Sequence, residues 1–426
     1  MRVLMLVPDY PPFFFGGIGT YAYLLVNELV SSGVEMDVFV VPIKDRPVTE
    51  EFDTELWKTE DGETYPVRRF RSAEPVPEWN ENLESNTLHE MLILRSSANA
   101  VTGILRFVRD RHYDVIHAND FFVGFLAEAL RDALKIPIVN TVHAGGFLEQ
   151  SVFFQLRKYT CLMADRNVIV SRSAEDVLNY DWQLLRVEFT PVLNGVSLRP
   201  ETADEILSEG HDIVMVGRIS QSKGNYLMLK VFLQMLRDRE LPEDSRLIFV
   251  GNSDELPALK AVLEEKGAAD RVLCPGTLDN DKTRDLMHHA WITAALGDHE
   301  TFGLTALEAM AENTCVITSD CGAFPEYLTD GKDCLMVKLS SADSLRTAIL
   351  RIINEPDLRH ELIRNGRETV RRLSWRRTAE QMTGIFQEAI DAWKANGNRS
   401  VSFLNSRKKK KKEFDLRQYL EDMESK

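Results

Sequence analysis

The chain has 426 residues, of which 44% are hydrophobic and 27% charged, and its formal net charge at pH 7 is −15. A chain of this length exceeds one ordinary hydrophobic core, so we expect at least two domains. The acidic balance argues against nucleic acid as a partner, because contact with phosphate backbones relies on a basic surface. No apolar run approaches the roughly 20 residues that span a bilayer.

The cysteines and the two ends of the chain indicate the compartment. Five cysteines without a C-x-x-C pair suggest neither a disulfide framework nor a zinc site, so we expect a cytoplasmic protein without a bound metal. Met1–Val7 is too short for a signal peptide and is typical of a first strand. The six consecutive cations Arg407–Lys412 favour a solvated tail, and weak contact with the inner membrane face stays open as the alternative.

The first half of the sequence alternates short β-rich runs with runs of helical spacing, which predicts a parallel sheet covered by helices on both faces. The predicted strands are Val3–Val7, Met36–Val41, Tyr65–Arg71, Val115–His117, Ile138–Val142 and Asn167–Val170. The predicted helices are Gly19–Ser32, Leu88–Arg111, Phe122–Leu134, Phe153–Ala164 and Ala174–Tyr180. Between them the polar stretch 42–86 is long for a connection, which indicates a functional role.

The polar residues 197–211 break this alternation, and we place an interdomain linker there, after a first domain of residues 1–196. A second α/β domain is predicted over residues 212–374, followed by a helix at 375–395 and a basic linker with a short terminal helix at 396–426. Its predicted strands are Ile213–Val216, Arg246–Val250, Val272–Cys274, Ile292–Leu296 and Cys315–Thr318. Its predicted helices include Tyr226–Arg237, Glu255–Lys266, Lys282–Ala290, one that begins near Phe302, Ala342–Asn354 and Pro356–Arg372.

Ligands of open α/β sheets bind beyond the carboxyl ends of the strands, so the residues that follow each strand are the candidate site. In the first domain these residues are Gly16, Gly17, Asn119, Asp120, His143 and Asn194. Paired glycines allow close backbone approach to an anion, although a plain glycine turn explains them equally well. The loop position of His143 favours a functional role, whereas His117 within its strand is expected to be structural.

In the second domain the cations are the informative residues. Gly217, Arg218 and Lys223 lie between the first strand and its helix, where both side chains converge on the strand ends. Arginine offers a planar fork to phosphate oxygens and lysine offers a point charge. Two such cations in a strongly acidic chain indicate an anionic ligand.

Two carboxylates frame the helix that begins near Phe302. Glu300 precedes its first turn and Glu308 follows eight residues later. The unpaired N–H groups at a helix start suit a phosphate or sugar oxygens, and carboxylates accept hydrogen bonds from hydroxyls. The alternative is that Glu300 only caps the helix and that Glu308 is a solvated surface residue.

In this order and spacing the motifs resemble the retaining, nucleotide-sugar-dependent glycosyltransferases of family 4, which are relatives of the glycogen and sucrose synthases. The resemblance covers about residues 1–395 and rests on Gly16-Gly17, His143, Asn194-Gly195-Val196, Gly217-Arg218, Lys223-Gly224, Glu300 with Glu308, and Gly322 with Pro325-Glu326. It implies an α/β protein of the GT-B fold, in which two Rossmann-like domains with parallel sheets face each other across a deep cleft. The last helix, from Trp375, would cross back onto the first domain.

The resemblance also implies roles for these residues. The catalytic set would be Glu300, His143, Arg218 and Lys223, and the substrate-binding set Gly16, Gly17, Asn194, Gly217, Phe302, Gly303, Leu304 and Glu308. Asn119 and Asp120 are added to the substrate-binding set because they follow a strand at the same crevice. Arg218 and Lys223 would neutralise the donor diphosphate in place of a metal, so no cofactor is expected. Glu308 would hold the ribose hydroxyls and Glu300 the transferred sugar. The resemblance supplies no assured nucleophile, and a same-face displacement is the expected route to retention.

We therefore expect a glycosyltransferase that moves a hexose from a UDP-, GDP- or ADP-sugar to a hydroxyl of a small sugar, a glycan or a lipid-linked acceptor. A sugar-nucleotide epimerase of the same fold and a non-catalytic scaffold stay open as alternatives. Glycogen-type elongation is disfavoured, because Phe14 stands where glycogen-synthase relatives carry a lysine. Asn313 replaces the usual glycine after the Glu308 helix and can still adopt a left-handed conformation.

Overall fold

The computed structural model describes residues 1–12, 17–41, 52–70, 100–143, 152–181, 187–199, 210–253, 256–298 and 300–400. The described residues form two α/β units, each built around one sheet. Five features of the sequence fall wholly or mainly outside this part of the chain, namely Phe14, Gly16, the linker 197–211, Arg407–Lys412 and the expected terminal helix. Within the described part, no helix is both long and apolar enough to cross a membrane.

The first sheet has eight strands in the order β3-β4-β2-β1-β5-β6-β7-β8. Its strands are β1 (Arg2–Val7), β2 (Glu35–Val40), β3 (Phe52–Lys58), β4 (Thr64–Phe70), β5 (Val115–Asn119), β6 (Ile138–Val142), β7 (Arg166–Ile169) and β8 (Phe189–Pro191). All neighbours pair in parallel except β3 and β4, which form an antiparallel hairpin at one edge. The helices of this unit are α1 (Gly17–Ser31), α2 (residues 100–108), α3 (Gly124–Leu134), α4 (Val152–Met163) and α5 (Arg172–Asp181).

The second sheet has six strands, all parallel, in the order β11-β10-β9-β12-β13-β14. They are β9 (Asp212–Val216), β10 (Arg246–Val250), β11 (Val272–Gly276), β12 (Ile292–Ala295), β13 (Cys315–Ser319) and β14 (Leu335–Val337). The remaining helices are α6 (Asn225–Arg237), α7 (Leu256–Glu265), α8 (Asn280–His289), α9 (Leu304–Ala311), α10 (Phe324–Tyr327), α11 (Ala342–Asn354), α12 (Pro356–Arg372) and α13 (Trp375–Ala395).

The cores follow from the period-two alternation of the strands. Val3, Met5 and Val7 of β1 lie in the core that α1 and α13 cover, whereas Leu4 and Leu6 lie in the core on the opposite face. Both sets of side chains are fully buried, as a strand with helices on both faces requires. The last helix therefore belongs to the first unit by its packing, although it follows the second unit in sequence.

The crossing to α13 is tightly packed against the end of the first unit. The Val196 amide donates to the Leu373 carbonyl at 2.8 Å. A Cβ on Gly195 would lie 2.2 Å from the Trp375 nitrogen, so only glycine fits this approach. Thr378 donates its hydroxyl to the Leu193 carbonyl at 2.9 Å. We refer to these contacts between the two units as the hinge region.

The sequence prediction of secondary structure was wrong in several places. It treated residues 42–86 as a connection with one strand, whereas β3 and β4 form a hairpin there. It missed β8, α10 and β14, which have only 3, 4 and 3 residues and so carry little periodicity. The predicted helix from Phe122 begins as a 3-10 turn at Phe121–Val123 before α3.

Candidate active site

Both sheets direct their carboxyl ends toward one cavity of about 320 Å³. The predicted site residues that line this cavity are Gly17, His143, Asn194, Gly217, Arg218, Lys223, Glu300, Phe302, Gly303 and Leu304. Residues from both units thus meet at the predicted strand ends. Asn119, Asp120 and Glu308 do not line the cavity, and Gly16 lies outside the described residues.

Glycines place the two cations at the end of β9. Gly217 has φ +129°, and a Cβ on the neighbouring Gly251 would lie 1.9 Å from the Gly217 carbonyl oxygen, so the two turns are in backbone contact. Gly224, with φ +72°, packs so closely on the end of β12 that its Cβ would lie 2.5 Å from the Leu296 Cβ. Such conformations and approaches strongly favour glycine. The turns therefore fix the backbone from which Arg218 and Lys223 reach the cavity.

Lys223 and Glu300 form an ion pair in the cavity, with 2.7 Å between Lys223 Nζ and Glu300 Oε2. The backbone of Glu300 is held from the turn after β13, because the Ala323 amide donates to its carbonyl at 2.9 Å. Gly322 lies directly against it, and a Cβ there would lie 2.5 Å from the Glu300 carbonyl oxygen. The alternative that Glu300 merely caps a helix is wrong, since its carboxylate faces the lysine and Gly303 is the N-cap.

Arg218 is the second cation of the cavity. Its side chain is exposed, and it has no carboxylate partner within 4.0 Å among the residues the structure describes. A guanidinium without an anion in an acidic protein is available to a ligand.

The start of α9 lies open to the same cavity. Gly303 is its N-cap in a left-handed conformation, φ +86°, and among the described residues no side chain caps the first amides. A Cβ on Gly303 would lie 2.3 Å from the Phe324 ring, so the turn packs too closely for a side chain. The Phe302 carbonyl on the other side accepts a hydrogen bond from the Tyr327 hydroxyl. Unpaired amides and the partial positive charge of the helix end suit a negatively charged or hydroxylated ligand.

His143 faces these groups from the first unit. Its Nε2 lies 3.2 Å from Asn119 Oδ1, and the Asn119 amide nitrogen donates to the Leu6 carbonyl. Since Asn119 presents its oxygen, the Nε2 of His143 carries the proton and Nδ1 is an acceptor. The Tyr21 ring packs edge-on at 4.4 Å, and Thr301 of the second unit donates to the His143 carbonyl at 3.3 Å. Burial lowers the pKa of His143 to about 4, against the opposing effect of the Asp120 carboxylate.

Asp120 holds the backbone behind His143. It adopts φ +66°, which is rare for a residue with a side chain. Its buried carboxylate accepts from the Phe121 amide at 2.8 Å, the His143 amide at 3.2 Å and the Arg157 guanidinium at 3.0 Å. The sequence offered no signal for Arg157, which sits within a helical run and is 37 residues from its partner. Asn119 and Asp120 thus lie beneath His143 rather than in the cavity.

Glu308 lies on α9, where its side chain is half-buried. Burial raises its pKa to about 7, while Arg284 lowers the pKa and Glu312 raises it. This partial burial argues against the alternative that Glu308 is a solvated surface residue. Glu312 pairs with Arg284 at 2.5 Å and with Arg199 at 2.7 Å, which ties the end of α9 to the chain leaving the first unit. Asn313 follows with φ +59°, the left-handed conformation expected of it.

Two α/β units with parallel sheets and a cavity between their carboxyl ends define the architecture of a GT-B glycosyltransferase. Residues 15–199 match the family described as Glycosyltransferase Family 4, and residues 202–369 match the family described as Glycosyl transferases group 1. The chain belongs to the family 4 glycosyltransferases of the GT-B fold.

Among similar proteins is an uncharacterized glycosyltransferase of Methanocaldococcus jannaschii, 22% identical, with 92% of this chain and 99% of the relative aligned. Among solved structures, a sucrose-phosphate synthase from Thermosynechococcus elongatus has a TM-score of 0.73 at 21% identity, covering 92% of this chain and all of that one. The HepE protein of Anabaena, solved in complex with UDP-glucose, has a TM-score of 0.67 at 15% identity, covering 91% of this chain and 100% of that one.

Proposed function

We propose that the protein transfers a hexose, with retention of configuration, from a nucleoside-diphosphate sugar to a hydroxyl of a sugar, glycan or glycolipid. The observation that carries the proposal is the shared cavity, where Arg218, Lys223, Glu300 and the open start of α9 lie together. A donor has the chemistry to satisfy all four groups, since its diphosphate is anionic and its sugar carries hydroxyls.

The two cations would act on the leaving group. As the bond between the anomeric carbon and the diphosphate oxygen breaks, negative charge accumulates on the diphosphate. Arg218 and Lys223 would hold that charge, together with the amides at the start of α9. Preorganised donors of this kind stabilise the transition state more than the ground state, and the proposal assigns them this role without a metal ion.

Donor binding would replace the Lys223–Glu300 ion pair with contacts to the donor. A diphosphate would compete with the Glu300 carboxylate for the lysine and leave the carboxylate to accept hydrogen bonds from the sugar hydroxyls. His143, uncharged at neutral pH because burial lowers its pKa to about 4, would accept another hydroxyl hydrogen at Nδ1. Glu308, which lies on α9 outside the lining of this cavity, would take the ribose hydroxyls where the nucleoside extends beyond it.

Retention would follow from attack on the face that the leaving group vacates. The acceptor oxygen forms the new bond to the anomeric carbon, and its proton passes to the departing phosphate oxygen. This balances charge without a protein nucleophile. Contacts between the units, such as Thr301 to the His143 carbonyl at 3.3 Å, would exclude water from the reacting centre and limit donor hydrolysis. The UDP-glucose held by the HepE protein supports a nucleotide-sugar donor for this fold.

The test is turnover with a panel of UDP-, GDP- and ADP-hexoses, with and without simple sugar and glycolipid acceptors. We expect nucleoside diphosphate release with one donor, and an NMR spectrum in which the product keeps the anomeric configuration of that donor. Glu300→Gln should lower turnover at least about 100-fold, the scale for a lost transition-state contact. The exposed Glu264→Gln on α7 is the matched control. Isomerised sugar without diphosphate release would favour the epimerase, and no turnover with any donor would favour the scaffold.

A further inference from the structure

A second cavity, of about 500 Å³, lies at the hinge region, between the two units and the start of α13. Its lining includes Arg172 from α5, Glu326 from α10, and Arg377 and Gln381 from α13. Asn194 is the residue it shares with the first cavity. The proposed glycosyl transfer uses none of these groups except Asn194.

The charges around this hinge cavity are unbalanced. The two carboxylate oxygens of Glu326 accept hydrogen bonds from backbone amides at the start of α5, from Arg172 at 2.9 Å and from Ser173 at 2.6 Å. The guanidinium groups of Arg172 and Arg377 have no carboxylate partner within 4.0 Å in the described part of the chain. Among those residues, the Arg377 guanidinium donates one hydrogen bond, to the Arg372 carbonyl at 3.5 Å. Of the described residues, two exposed guanidinium groups without an ion-pair partner therefore line one cavity in a protein of net charge −15, and the one carboxylate in the lining, Glu326, is bound to backbone amides.

Asn194 adds an unsatisfied polar group. The residue is only 6% exposed, and its amide oxygen has no hydrogen-bond partner among the described residues. Buried amide atoms are nearly always paired, and an exception calls for a ligand or an ordered water. A hydroxyl group supplies a donor and an acceptor at once, so it can pair with either end of this amide.

We propose that the hinge cavity binds a small phosphate monoester that carries hydroxyl groups. The phosphate is held by Arg172 and Arg377, which offer bidentate hydrogen bonds, and the hydroxyls pair with Asn194 and Gln381. The occupant bridges α5, α13 and Glu326, the carboxylate that reaches from the second unit to the first. It therefore favours the arrangement of the units seen in this structure, and so raises the affinity for a donor in the first cavity.

Calorimetric titration with ribose 5-phosphate tests binding without any donor, so its outcome is independent of the proposed transfer activity. We expect saturable binding, weakened about 10-fold or more by Arg377→Ala and by Arg172→Ala, since each removes a charge-assisted hydrogen bond. Arg376→Ala is the matched control, because Arg376 lies on the same helix but pairs with Glu380 at 3.2 Å. Circular dichroism checks that each variant folds.

Three results would overturn the proposal. The first is no saturable binding of ribose 5-phosphate to the wild-type protein. The second is wild-type affinity in the Arg377→Ala and Arg172→Ala variants. The third is a loss of affinity in the Arg376→Ala control as large as in those two variants. Inorganic phosphate and free ribose form two further arms, and binding of either as tight as that of ribose 5-phosphate would reject a hydroxylated monoester. The coupling is measured by repeating the titration with a saturating nucleotide sugar. We expect tighter binding of ribose 5-phosphate when the nucleotide sugar is present. Unchanged affinity would overturn the coupling between the two cavities.

Discussion

If Glu308 holds the ribose hydroxyls as proposed, its half-buried carboxyl should make donor binding depend on pH. Burial raises its pKa to about 7, so the free protein holds a proton there in mildly acidic solution. A carboxylate can accept hydrogen bonds from two ribose hydroxyls. A protonated carboxyl has one acceptor oxygen fewer, and in its place an O–H group that donates. If the complex requires the carboxylate, affinity falls as pH falls below 7. His143 does not interfere, because its pKa of about 4 keeps it neutral throughout this range.

The size of the effect follows from the pKa. With a pKa of about 7, the ionised fraction drops about 25-fold between pH 7.5 and pH 5.5, and the donor affinity should drop by the same factor. A nucleotide sugar is the appropriate titrant, since its phosphodiester oxygens do not titrate in this range. Calorimetry at several pH values in buffers of equal ionic strength measures the slope.

Glu308→Gln separates the carboxyl from other causes. The amide cannot ionise, so its donor affinity should be weaker at pH 7.5 and nearly independent of pH. The folded state also binds the proton of Glu308 more tightly than the unfolded state, because the folded-state pKa is raised. The contribution of this group to the free energy of unfolding is therefore fully present below its unfolded pKa and is lost as pH rises through about 7. The variant should therefore resist urea better than the wild type at pH 8 and equally at pH 5. A pH slope that survives the substitution would refute the reasoning.

Three further substitutions test the scaffold of the site. Gly303→Ala forces a side chain into a left-handed turn and against the Phe324 ring, which should cost about 1–3 kcal/mol in urea unfolding and weaken donor binding; wild-type values for both would contradict this. Glu312→Ala leaves Arg284 buried without its anion, and a loss of about 3–5 kcal/mol in thermal or urea unfolding is expected, with an unchanged midpoint as the opposing result. Asp120→Asn weakens the support of the buried loop behind the cavity, so turnover should fall more than donor affinity; a change in affinity alone would speak against a positioning role.

The local parts of the site were predictable from the sequence. Gly217, Arg218 and Lys223 lie within seven residues, and their spacing alone indicates a cationic turn between strand and helix. The same holds for the start of α9, where a glycine precedes a run of helical spacing. Such motifs are built by consecutive residues, so the sequence contains most of their geometry.

The supporting contacts were not predictable, because they join distant parts of the chain. The Asp120–Arg157 and Lys223–Glu300 pairs span 37 and 77 residues, and nothing local marks either partner for the other. The position at a strand end suggested that Asn119 and Asp120 contact substrate. The positive φ of Asp120 instead accompanies a carboxylate that turns toward the His143 backbone.

The edge hairpin of the first sheet also could not be predicted from the sequence. The hairpin of β3 and β4 is an antiparallel pairing at the edge of an otherwise parallel sheet, and three residues of β3 from Thr54 to Leu56 are exposed. Residues that face water on an edge strand lack the apolar alternation that identifies strands. The return of α13 to the first unit was expected from the family resemblance, not from any periodicity of the helix itself.

Calorimetric titration of UDP-, GDP- and ADP-hexoses into the wild-type protein and into the Arg218→Ala, Lys223→Ala double variant tests the central claim most directly. We expect saturable binding of one donor to the wild type and an affinity at least about 100-fold weaker in the variant, because two charge-assisted contacts to the diphosphate are lost. Failure of every donor to bind the wild type, or equal affinity in the two proteins, would contradict a nucleotide-sugar site between the two units.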